Sequence, residues 1–70
     1  MGFLLVEYPT DREVFIDGDQ VGRTQVPIEV GNGLHEVRLG SGSDYRPPMQ
    51  TVEVLGEPYD DPKTISFVPR

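Results

Sequence analysis

Thr10-Asp11-Arg12-Glu13-Val14-Phe15-Ile16-Asp17 is the longest run in the chain without glycine or proline, and its eight residues are too few for an ordinary helix. Within it Val14 and Ile16 fall on one side of an extended chain, and Glu13, Phe15 and Asp17 on the other, which is the period of a half-buried strand. The same alternation recurs outward in both directions, at Leu4, Val6 and Tyr8, at Val26, Ile28 and Val30, at Val37 and Leu39, at Val52 and Val54, and at Ile65 and Phe67. Asp17-Gly18, Gly31-Asn32-Gly33, Gly40-Ser41-Gly42-Ser43 and Gly56-Glu57-Pro58 separate these runs with the residues that turns demand. The chain is therefore expected to be all-β, a small antiparallel β-sandwich of about six to seven short strands. Its expected core is Leu4, Val6, Val14, Ile16, Val26, Ile28, Val30, Val37, Leu39, Val52, Val54, Ile65 and Phe67.

Composition supports the same class. Eight glycines and seven prolines among 70 residues, with no alanine and no tryptophan, favour strands and turns over helix. Nine valines and three isoleucines argue against disorder. A chain of this length has room for one core, so residues 1–70 are expected to form a single domain. The absence of cysteine removes disulfides, thiolate metal sites and thiol nucleophiles together.

Charge narrows the partners. Six basic residues against twelve acidic ones give −6, which disfavours a phosphate backbone, because that affinity comes from neutralising phosphates with basic side chains. No nucleic-acid partner is expected. Nor is membrane insertion, since no run of 18 apolar residues exists and the apolar opening breaks at Glu7. If Met1 is native, the chain stays in the cytoplasm; as a domain of a longer secreted protein it would be extracytoplasmic.

Several motifs gather in order. Gly2, Leu4, Val6 and Pro9 are followed by Val14-Phe15-Ile16-Asp17-Gly18, then Gly22-Arg23-Thr24, then Val26, Ile28 and Val30, then Gly33-Leu34-His35-Glu36-Val37-Arg38-Leu39. This arrangement, from Gly2 to about Val54, resembles the PEGA domain family. The chain departs from the family pattern at Pro9-Thr10-Asp11-Arg12, where only the proline is kept, at Gln25, where a proline is usual, and at Asp44, where a glycine precedes the tyrosine. The resemblance implies a sandwich of the carboxypeptidase-regulatory or transthyretin-like kind. It also implies an accessory module of bacterial surface, envelope or signalling proteins, with no reaction of its own; no cofactor is expected.

Candidate chemistry is sparse. Asp17-Gly18-Asp19 has the alternating oxygens of a calcium loop, but two ligands fall short of the six to eight that calcium takes, and Asp-Gly is a strong hairpin signal. No metal site is expected. His35 shares a face with Val37 and Leu39, which points to a partly buried ring bonded to a neighbouring turn rather than a general base. Ser41, Ser43 and Ser66 lack any nucleophile-elbow motif, so no catalytic residue is assigned and the chain is not expected to be an enzyme. Tyr45 is expected to cover one open end of the core.

One feature exceeds a plain scaffold. Phe3, Leu5 and Phe15 alternate against the core set and point outward from the first two strands. If those strands are neighbours, the three form one apolar patch, the mark of a surface that contacts a protein partner or a second copy. A strand edge is a further means of contact. The alternative is a domain that binds carbohydrate or a cell-envelope polymer, for which Tyr59 is the candidate platform, with the loop at 56–62 able to cover the outer residues instead.

Overall fold

A computed structural model describes every residue except Ser41 and Ser43, and among the described residues there is no helix. Among the described residues nine strands follow one another: β1 (Gly2–Glu7), β2 (Glu13–Ile16), β3 (Asp19–Arg23), β4 (Ile28–Val30), β5 (Gly33–Leu39), β6 (Tyr45–Arg46), β7 (Gln50–Val54), β8 (Lys63–Ser66) and β9 (Val68–Pro69). They form a three-stranded sheet in the order β4-β1-β8, a four-stranded sheet in the order β3-β2-β5-β7, and a two-stranded ribbon of β6 and β9. All pairings are antiparallel except that of β1 with β8, which is parallel because the whole intervening chain carries β8 back beside the first strand.

The inward sides of the two sheets enclose one cluster of buried side chains. Leu4, Val6, Ile28 and Val30 face Val14, Ile16, Val37, Leu39, Val52 and Val54. Burying a side chain such as Leu4 contributes about 2 kcal/mol of transfer free energy. Tyr8, Tyr45 and Phe67 close one end, their rings meeting edge to face at centroid distances of 6.5 and 5.4 Å. The Tyr45 hydroxyl donates to the Leu39 carbonyl at 2.7 Å and receives the Leu39 N–H at 3.2 Å, so this aromatic end carries no orphaned hydroxyl.

Val26 corrects the expected core. It is 56 % exposed, since Gln25 sits in the left-handed region at φ 68° and the chain bends before β4 begins at Ile28. Alternation therefore starts two residues later than the sequence suggests. Ile65 is only partly buried beside the cluster. The extra strands are β3, whose residues are all exposed or half-buried and so show no apolar period, and the two-residue pair β6 and β9.

The departure at Gln25 has a local cause. Its N–H donates to the Val6 carbonyl at 2.9 Å, and its side-chain Nε2 donates to the Tyr8 carbonyl at 2.9 Å. Proline has neither that N–H nor a positive φ. Gly22 is fixed by contact: a Cβ there would stand 2.8 Å from the Ile28 side chain. Thr24 is buried, its hydroxyl donating to the Thr10 carbonyl and accepting the Arg12 N–H, both at 2.9 Å, which ties the 10–12 loop to the end of β3.

Candidate functional site

The expected patch divides. β1 and β2 lie in different sheets, so Phe3 and Leu5 face outward from the three-stranded sheet and Phe15 from the four-stranded one. Phe3 pairs across to Glu29 of β4, and Leu5 to Thr64 of β8. All three side chains are half-buried.

What covers them differs. The Phe3 N–H donates to the Glu57 carbonyl at 2.9 Å, pinning the 56–62 loop over the start of β1. That loop delivers Tyr59, whose ring meets Phe3 edge to face at 5.4 Å with an interplanar angle of 85°. Tyr59 remains 64 % exposed, and Leu55, in the segment that crosses Gly2, is 68 % exposed. The Glu57 carboxylate braces the loop by accepting the Leu55 N–H at 2.9 Å; this bond and the Glu57 N–H hold its carboxyl below the ordinary value, with Lys63 adding a smaller favourable charge. Tyr59 and Phe3 thus share one site, although they were candidates for different roles in the sequence. Only the loop's closure over β1 unites them.

Phe15 lies in a charged setting. It stands directly opposite Arg38 across the β2–β5 pairing, and the guanidinium sits 4.4 Å from its ring centroid. The ring also lies close to Gly40, where a Cβ would come within 2.8 Å of it. Around it the same face carries Glu13, Glu36, Thr51 and Glu53. Phe15 is the apolar floor of a salt-rich face.

The Asp-Gly turn forms as the sequence suggests, with Asp17 at φ 53° and Gly18 at φ 89°. The Asp17 carboxylate accepts the Glu36 N–H at 3.0 Å and contacts His35 Nδ1 at 2.7 Å, while His35 Nε2 contacts the Gly31 carbonyl at 2.7 Å. A carboxylate and a carbonyl are both acceptors, so the two contacts are satisfied together only when both ring nitrogens carry a proton, an arrangement that favours the imidazolium. Accordingly the Asp17 bond, then the Gly31 carbonyl, raise the His35 pKa. The Glu36 N–H and then His35 lower that of Asp17. Neither ring nitrogen is free to take a proton from a substrate. Ser66 donates to Glu7 at 3.1 Å, and Ser41 and Ser43 lie outside the described residues.

Arg12 escaped sequence reading. Its guanidinium lies 5.5 and 5.6 Å from the Tyr8 and Tyr45 ring centroids, bonds Asp44 at 3.1 Å and donates to the Gly40 carbonyl. The only sequence hint was its place in a loop beside a proline. Among the described residues no group of three or more potential ligands is placed to hold a metal ion, and no helix is long and apolar enough to cross a membrane.

A sandwich of short strands with a braced aromatic loop and a histidine engaged at both ring nitrogens defines a small β-module. The PEGA domain family matches residues 8–61, so the chain belongs to that family, a family of small modules not known as catalytic. Phe3 and Leu5 precede the matched segment and Tyr59 lies within it. No curated protein and no solved structure matches the chain.

Proposed function

We propose that this domain is a non-catalytic contact module, meeting a protein surface through the outer face of the β4-β1-β8 sheet around Phe3, Leu5 and Tyr59. The observation that carries this reading is the Phe3–Tyr59 pair, in which a backbone-pinned loop holds an aromatic side chain largely in solvent. Aromatic side chains with few torsions lose little entropy on binding, and they dominate the energetics of protein contacts. A second copy of the chain is the first occupant to test, because a 70-residue core without cysteine gains from extra burial. Amide shifts on dilution of the labelled chain should then map to residues 3, 5, 59 and 64, and Tyr59→Ser should remove them. If dilution changes nothing and cell-wall oligosaccharides instead shift Tyr59, the carbohydrate reading replaces this one. Shifts centred on Phe15 would overturn the choice of face.

A further inference from the structure

The six basic residues divide unevenly. Arg12 holds Asp44, Arg23 holds Asp11 at 2.8 Å, Arg38 lies over Phe15, and Lys63 acts on the Glu57 carboxyl. Arg46 and Arg70 have no carboxylate partner among the described residues, although acids outnumber bases two to one in this chain. Both line the same cavity, of about 360 Å³, together with Tyr45 and Pro48.

Their juxtaposition follows from the β6–β9 ribbon. Arg46 pairs with Val68 and Tyr45 with Pro69, and the Arg70 N–H extends the ladder to the Asp44 carbonyl at 2.8 Å. Arg46 and Arg70 are therefore diagonal neighbours on one face, where like charges repel. Asp44, which the ladder sets opposite Arg70, is taken up by Arg12, whose Nη1 reaches its two oxygens at 3.1 and 3.3 Å. The Tyr45 ring is fixed by its two bonds to Leu39 and by Phe67.

We propose that this cavity binds a small oxyanion, carboxylate or phosphate, borne on a flat apolar group. The two guanidiniums supply forked donors that match either oxyanion, and Pro48 takes the apolar part, with the buried Tyr45 beneath as the fixed wall. The site shares no residue with the Phe3–Tyr59 face, so it stands or falls independently of the contact reading.

Titration of the isotope-labelled chain with phenyl phosphate, benzoate, inorganic phosphate and benzyl alcohol tests it. Saturable amide shifts at Tyr45, Arg46 and Arg70, with a Kd on the order of 1 mM, are expected for phenyl phosphate, benzoate or both, and the stronger of the two identifies the oxyanion. Inorganic phosphate should bind more weakly at the same amides, and benzyl alcohol should not bind. Arg46→Gln and Arg70→Gln should each weaken binding about tenfold with the melting temperature unchanged, and Arg38→Gln should leave affinity intact. Equal binding of benzyl alcohol, shifts elsewhere in the chain, or unchanged affinity in both arginine variants would overturn the proposal.

Discussion

Phe3 and Phe15 are the same residue on adjacent strands of the sequence, each pointing away from the core, yet one ends beneath a tyrosine and the other beneath an arginine. The difference lies in their cross-strand neighbours. Phe15 sits in the middle of a four-stranded sheet, opposite Arg38, with the charged residues of β5 and β7 beyond. Phe3 sits at the start of β1, where the chain between β7 and β8 passes over it. An outward-facing aromatic side chain is thus absorbed into the surface by a flat cation in one place, and extended into solvent by a second ring in the other.

The largest effect should come from the inward sides of the two strands, where both are fully buried. Leu4→Ala should cost about 2 to 5 kcal/mol, and Val14→Ala somewhat less, because both side chains are fully enclosed and leave cavities. Denaturant unfolding measures both, and a loss below about 0.5 kcal/mol in either would show that its strand has been faced the wrong way.

The outward sides should then part company. Phe15→Ser should lower stability by about 1 to 2 kcal/mol at every protein concentration, since the ring is half-buried, with Arg38 over it and Gly40 close by. Tyr59→Ser should change the stability of the isolated domain by less than about 0.5 kcal/mol while removing any dependence of the melting temperature on concentration. If the two variants behave alike, the distinction between the faces fails.

The smallest effect is one of pH, at the Asp17–His35 pair just past the end of β2. The His35 pKa is raised above its ordinary value of about 6.5, so its contribution is fully present below that pH and is lost as pH rises through the higher folded value. The Asp17 pKa is lowered, so its contribution is present above the ordinary carboxylate range and is lost as pH falls through the depressed value. Stability should be greatest between those limits, and His35→Gln should flatten the alkaline side of the curve. A wild-type melting temperature that is constant from pH 6 to 9 would contradict an imidazolium.

How far the sequence reaches varies by element. The period of two at Leu4 and Val6, at Val14 and Ile16, at Val37 and Leu39, and at Val52 and Val54 located four strands and their buried sides, because exposure alternates with the pleat wherever one face is covered. Asp17-Gly18 announced its turn, and His35 was expected beside a turn, since both depend on neighbours close in sequence or on strand parity. β3 is invisible to the period because its residues Asp19–Arg23 bury no alternate side chains, and Val26 is misplaced because the left-handed Gln25 interrupts the period.

The sequence by itself determined the all-β class, most of the core and the outward direction of Phe3, Leu5 and Phe15, since these follow from local periodicity and chain length. Only the tertiary structure decided that β1 and β2 belong to different sheets, that Tyr59 meets Phe3, and that Arg46 and Arg70 share a cavity. Alternation fixes which way a side chain points but says nothing of which strand lies beside it. That choice is made by contacts between segments up to sixty residues apart, as when β8 returns to pair with β1.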